Sequence, residues 1–310
     1  MTTPRVICGD ALEGLRDGVT DLRIPVRDKR GWAKGIVSWK FEGWWFQSVP
    51  FTWLLPDAAR FAMMHEPCVV GGPAVKLMPE YIGQWAEVAE EEFPEALRLQ
   101  NPNATRTTWG CRKGCPFCAV AKIEGPLQEI DEWPALPVVV DSNFLQCGDA
   151  HFSRVVESLR ETPEIDFNSG FDKRLFKGDR AAALAGLDLR RVSFSWDFPN
   201  EGDAVLAAID EAAAVGIKPQ RIVVLCLVNF GEDPNEALYR MKTVKATGAQ
   251  PFAMRYQPLD ALRKNDYLAP EWNSRDLKWF CRYWNRQAWL EHVEFKWPSK
   301  GPRFKLEVSA

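Results

Sequence analysis

Beyond residue 100, short apolar runs recur about every thirty residues, each followed by a stretch whose apolar positions fall at helical intervals. That alternation predicts parallel strands joined by crossover helices. Strands are expected at 105–109, 137–141, 164–168, 191–196, 222–228 and 251–256, and helices at 152–161, 174–187, 204–215 and 235–247. Polar residues at the C-terminal ends of such strands are the first candidates for chemistry, because parallel sheets bind ligands there.

Residues 1–100 follow a different pattern. Positions 35–46 alternate β-branched and aromatic residues across Gly43, which predicts a hairpin. A helix over 53–64, opened near Thr52, and a buried strand over 67–73 ending in a glycine turn complete half of a small α/β layer. The acidic stretch 87–95 reads as a solvated helix leading to Asn101-Pro102, a boundary between regions. The opening, 5–15, looks like the start of a DNA-methyltransferase segment, but no (D/N)PPY follows. Three regions result: 1–100, 101–260 and 261–310.

With 310 residues, 46% of them hydrophobic, the chain can bury a sizeable core, and a net charge of -3 confines any nucleic-acid surface to a local patch. No apolar run approaches the ~18–20 residues of a membrane span and no signal peptide is evident, so a cytoplasmic protein with no membrane partner is expected. Five of the eight cysteines, Cys8, Cys68, Cys147, Cys226 and Cys281, are scattered singly and read as reduced, packed thiols.

The other three form Gly110-Cys111-Arg112-Lys113-Gly114-Cys115-Pro116-Phe117-Cys118, a CxxxCxxC loop. Clustered thiolates hold zinc or an iron–sulfur cluster. Closed zinc sites use four protein ligands and no second knuckle lies nearby, so three cysteines suggest a cubane with one iron left open. The loop resembles the radical S-adenosylmethionine (radical SAM) superfamily, whose signature CxxxCxΦC has an aromatic before the last cysteine, here Phe117. The resemblance covers about 104–258. It implies an α/β fold, a partial (β/α)6 TIM-like barrel with a small N-terminal α/β region and a C-terminal helical, basic extension closing it. It also implies a 4Fe-4S cluster on Cys111, Cys115 and Cys118 whose open iron chelates S-adenosylmethionine, and a flavodoxin- or ferredoxin-type reducing partner. The family cleaves the sulfonium reductively to a 5′-deoxyadenosyl radical that abstracts hydrogen from a substrate carbon.

Further positions follow from the same resemblance. The second strand ends in Asp141-Ser142-Asn143, where the family often carries a GGE-like motif for the cofactor's amino group; Asp141 and Asn143 are the acceptors here, or a turn. Ser195 and Asp197 fall on one face of the fourth strand and would meet the cofactor's ribose or carboxylate, unless Asp197 caps the turn. Arg255, at the end of the sixth, suits an anion. Val69-Val70-Gly71-Gly72-Pro73 and Pro79-Glu80 resemble the domain preceding the barrel in cobalamin-dependent relatives. DxHxxG is absent, Asp149-Ala150-His151 being followed by Phe152-Ser153-Arg154, which implies a degenerate docking domain.

In the last region Trp279, Phe280, Tyr283, Trp284 and Trp289 interleave with Arg275, Lys278, Arg282 and Arg286, followed by Lys296, Lys300, Arg303 and Lys305. That pattern suits an amphipathic helix closing the open barrel or, alternatively, a surface contacting DNA. The basic aromatic tail and methyltransferase-like opening point, within the superfamily, to a phage DNA-modification enzyme. The expected reaction is an isomerase-type rearrangement of an amino-acid substituent on thymidine, the substrate being otherwise a small molecule or nucleobase. A radical SAM methyltransferase or methylthiotransferase, and a zinc-bound nucleic-acid-binding module, are the alternatives.

Overall fold

A computed structural model of the chain describes residues 18–93 and 95–298. The methyltransferase-like opening, Cys8 and the tail residues Lys300, Arg303 and Lys305 lie outside the described residues. The chain forms two compact units, Met1–Ser169 with Pro258–Lys264, and Gly170–Gln257 with Asn265–Ala310. The expected core at 101–260 is thus shared between them.

In the first unit, β1 (Val19–Arg23), β2 (Val37–Phe41), β3 (Trp44–Ser48), β4 (Cys68–Gly71) and β5 (Glu87–Val88) form one sheet in that order. The first two pairings are antiparallel and the last two parallel. The β2–β3 hairpin turns on Glu42 and Gly43, both left-handed at φ 48° and 85°, as a tight two-residue turn matched to strand twist requires. The two-residue period then sorts the core onto two faces. Trp45, Cys68 and Val70 meet helix Leu55–Met64. On the other face Trp39 stacks on Phe46 at 5.6 Å and Phe93 stands edge-on to both.

The acidic stretch is not the expected helix. Residues Glu87–Val88 pair with β4, Ala89 N donates to Val70 O at 3.0 Å, and a helix begins only at Ala96–Gln100. Ladder bonds and the burial of Phe93 outweigh the helical preference of a glutamate run, because local propensity is worth only tenths of a kcal/mol per residue, about 0–0.7.

Parallel pairing occurs in each of the six expected stretches, though in the first only at its start, and no barrel forms. β6 (Ala104–Thr105), β9 (Val138–Val139) and β10 (Asp166–Phe167) make one parallel sheet, ordered β10-β9-β6. Between β6 and β9 the chain makes an antiparallel pair, β7 (Thr108–Trp109) with β8 (Gln128–Glu129). In the second unit β11 (Val192–Trp196), β12 (Ile222–Val228) and β13 (Gln250–Arg255) make another parallel sheet. Closure needs an unbroken ladder around all strands. Here each sheet holds three strands and the pairing stops at β10 in one unit and β11 in the other, which corrects the partial (β/α)6 barrel to two open three-stranded sheets. Helices Gly202–Ala214 and Pro234–Ala246 supply the crossovers of the second sheet.

Helix Ser274–Trp284 begins at Asn273, whose Oδ1 accepts from Asp276 N at 2.8 Å. It buries Leu277, Phe280, Tyr283 and Trp284 and leaves Arg275, Lys278 and Arg282 exposed. Just beyond it, Asn285 accepts from Ala253 N (2.8 Å) and donates to Ala253 O (3.1 Å), so a side chain covers the edge of β13. Aromatic interleaving is therefore used in packing, with Arg282 and Arg286 stacked over Trp289 at 5.6 and 4.7 Å. Among the described residues no helix is long and apolar enough to cross a membrane.

Candidate functional site

The cysteine loop leaves β7 and is held at several points by backbone and side chain. Gly110 N donates to Glu124 Oε2 (2.9 Å), Cys111 N to Gly125 O (3.2 Å), Arg112 N to Gln146 Oε1 (2.8 Å) and Cys118 N to Cys115 O (3.0 Å). Gly110 is left-handed at φ +74°, and a Cβ there would overlap the carbonyl oxygens of Gly125 and Pro126. Only glycine lets the loop turn this close to the chain that returns beneath it.

All three thiols of the loop are half-buried. Cys111 Sγ accepts from Lys113 N (3.3 Å) and Asn143 Nδ2 (3.4 Å). Three thiols on one loop, one already supplied with N–H donors, match an iron–sulfur cluster in donor chemistry. Their side chains are not drawn together as a cage: among the described residues no set of three or more His, Cys, Asp or Glu is arranged to hold a metal ion. Phe117, the aromatic of the signature, is partly buried.

Asp141 and Asn143, which follow β9, differ sharply in use. Thr107 N donates to Asp141 Oδ1 at 2.7 Å and Thr107 Oγ1 donates to Oδ2, so this buried carboxylate anchors the chain just before β7. Burial pushes its pKa up while the Thr107 and Thr108 hydrogen bonds pull it down, leaving a net rise. Asn143 is only 7% exposed; its Nδ2 is on Cys111 Sγ and its Oδ1 is buried with no partner. Of the two expected acceptors for the cofactor's amino group, Asn143 is the one with an acceptor still open.

Glu124 was not foreseen. Its Oε1 accepts from Arg106 Nη1 (2.8 Å), and its Oε2 from Gly110 N and from Ser142 Oγ (2.6 Å). Arg106 also stacks over Trp109 at 3.8 Å. One carboxylate therefore ties the first residue of the loop to the segment carrying Asp141 and Asn143. A lone glutamate after the short helix Val120–Ile123 reads in sequence as a solvated helix end, and no spacing rule singles it out.

In the second unit Ser195 and Asp197 do come together, at the end of β11, where the Ser195 hydroxyl bonds the Asp197 carboxyl. Burial raises the pKa of Asp197, opposed by that bond and by the charge of Lys173. The neighbouring Glu201 accepts from Lys173 Nζ (3.0 Å) and from Asp197 N (3.0 Å), and Arg240, 1% exposed, donates to Trp196 O (2.8 Å). Ser195 and Asp197 thus belong to a buried network of charges. Arg255 gives its Nη2 to the carbonyls of Asn265 (2.8 Å) and Tyr267 (2.9 Å) rather than to an anion; its Nε is buried with no partner.

Among the described isolated cysteines, Cys68, Cys147 and Cys226 are buried as expected and Cys281 is partly buried. Burial pushes Cys68 and Cys226 up to about 12, so at pH 8 only about one in ten thousand is thiolate, the reactive form. On the metal-free protein, iodoacetamide at pH 8 is expected to label Cys111, Cys115 and Cys118 while sparing Cys68 and Cys226, read by peptide mass spectrometry. Equal labelling of Cys226 would remove it from the core.

No protein-family model matches the chain, and no curated protein is similar to it.

Proposed function

We propose that the chain is a radical SAM enzyme, in which Cys111, Cys115 and Cys118 hold a 4Fe-4S cluster and S-adenosylmethionine is cleaved reductively. The observation that carries the reading is Asn143, whose amide spans from Cys111 Sγ to a buried, open acceptor. Held by Cys111, Cys115 and Cys118 and reduced by an external one-electron donor, such a cluster would supply the electron for reductive cleavage of the sulfonium. The chain's own residues have distinct tasks around it. Lys113 N and Asn143 Nδ2 donate to Cys111 Sγ, and Asn143 Oδ1 would accept an N–H of the cofactor's ammonium. Glu124 holds Gly110 and Ser142, and Asp141 anchors Thr107.

Anaerobic reconstitution with iron and sulfide, then dithionite and S-adenosylmethionine, tests the reading by mass spectrometry. 5′-Deoxyadenosine is the expected product; zinc in place of iron, with no such product, would overturn it. Asn143→Leu is expected to keep the iron content and raise the KM for S-adenosylmethionine by roughly 10- to 100-fold, the weight of a hydrogen bond to a charged group at about 1.5–3 kcal/mol. An unchanged KM would remove Asn143 from the cofactor site.

A further inference from the structure

Within the first unit a cavity of about 660 Å³ opens beside the C-terminal ends of β9 and β10, where Val140, Asn168 and Ser169 line it. Small-molecule sites run roughly 300–1,000 Å³ and favour this end of parallel strands. Three features of the lining define an occupant. The first is an aromatic platform: Phe51 stacks on Trp53 at 4.4 Å with planes 8° apart, while Lys264 Nζ sits 5.5 Å over the Trp53 ring. Trp53 has neighbours on its rings already, but Phe51 is 49% exposed and offers a free face.

The second is Glu92. Its Oε2 is buried with no partner, and burial pushes its carboxyl above the usual range against the pull of Arg106 and Lys76. Arg106, which also lines the cavity, is paired with Glu124 instead. A buried acceptor left open is costly, and a ligand N–H would relieve that cost. The third is a pair of exposed cations, Lys34 and Lys264, both lining the cavity. The other acid of the lining, Asp28, has Oδ1 occupied by Arg30 N (2.8 Å) and Trp32 N (3.0 Å).

We propose that this cavity binds a nucleotide whose base carries a ring amine, with the amine donating to Glu92 Oε2, the ring stacked on Phe51 and the phosphate at Lys34 and Lys264. Carboxylates read the amine of cytosine in this way, whereas uracil and thymine turn a carbonyl toward the same oxygen and are repelled. Stacking a base on an aromatic side chain strengthens binding further, whatever the base. As the substrate site the cavity rests on the radical SAM reading; as a binding site it does not.

The test is a titration of the full chain by calorimetry with CMP, UMP and cytidine. CMP is expected to bind at least tenfold tighter than UMP, and cytidine more weakly than CMP. Glu92→Gln, whose amide can donate to a carbonyl, is expected to erase or reverse the preference while leaving the melting temperature in place. Equal binding of CMP and UMP, or no binding of CMP at millimolar concentration, would overturn the proposal. So would displacement of CMP by S-adenosylmethionine, which would give the cavity to the cofactor's own nucleoside. A free nucleotide and one unit of a strand share this chemistry: tighter binding of a short oligo-dC than of CMP identifies the strand, weaker binding the free nucleotide. A preserved CMP preference in protein that forms no 5′-deoxyadenosine would overturn the radical reading and leave the site standing.

Discussion

On the proposed radical SAM reading, Cys111→Ala is expected to abolish 5′-deoxyadenosine formation, with a loss of at least three orders of magnitude, or about 4 kcal/mol of barrier, and to leave the protein folded. Both halves come from the loop's position. Cys111 is half-buried, outside the clusters of apolar side chains that hold the first unit's five-stranded sheet, so the lost packing is small. Its removal leaves the Asn143 amide without its sulfur partner, at a cost of about 1 kcal/mol. For the cofactor the change is of another size, because three ligands are the minimum for a cluster that keeps one iron open, and the loop holds no fourth cysteine. Bound iron per chain and 5′-deoxyadenosine measured together give the result, with circular dichroism as the fold control. Full cleavage by the variant would sink the assignment. Should the alanine variant fail to fold, Cys111→Ser, nearly isosteric, carries the same expectation with less disturbance.

Much of the second unit was legible because its signals are local. An unbroken apolar run such as β12 is long enough to declare a buried strand, and the 3.6-residue pattern of 235–247 places helix Pro234–Ala246 to within a residue or two. Closure was not legible. The same βα alternation suits an open sheet and a barrel, and whether one strand edge pairs with the next depends on contacts far apart in sequence. The helix expected at 87–95 failed for a related reason: nothing in the glutamates shows that Val88 will find the free edge of β4.

The site divides along the same line. Three cysteines and a turn-forming Asp-Ser-Asn announce themselves by spacing, and Cys111 and Asn143 do meet. Asp141 and Asn143 look equivalent in sequence, both following one strand at a two-residue interval. Only the structure shows that Thr107 takes up the carboxylate and leaves the amide open. Arg255 was expected to hold an anion, a carboxylate or phosphate, whereas the structure has it donating to the backbone carbonyls of Asn265 and Tyr267. Glu92 and Glu124 have neither spacing nor composition to mark them, since the charged groups around them lie on other elements.

Glu124 carries the second large expectation. Its carboxylate is the shared acceptor for a guanidinium, a backbone N–H and a hydroxyl, and the pair with Arg106 is largely out of solvent, with 8% and 16% of the two side chains exposed. Glu124→Ala leaves the Arg106 charge without its anion in a low-dielectric setting, which costs about 3–5 kcal/mol for a buried pair. The stack on Trp109 places the cost toward the lower end, because the guanidinium keeps one favourable neighbour. At roughly 2–4 °C per kcal/mol for a chain of this size, the melting temperature is expected to fall by about 6–15 °C. Iron retention should fall with it, since Gly110, the residue that opens the cysteine loop, loses its tether to Ser142. The double variant Arg106→Met, Glu124→Gln separates the two effects: removing both charges restores most of the stability, while a glutamine oxygen can still accept from Gly110 N but not from all three donors. A melting temperature and iron content unchanged in Glu124→Ala would show that the loop is held without it. Recovery of stability in the double variant without recovery of iron would assign Glu124 to the loop's geometry rather than to the fold.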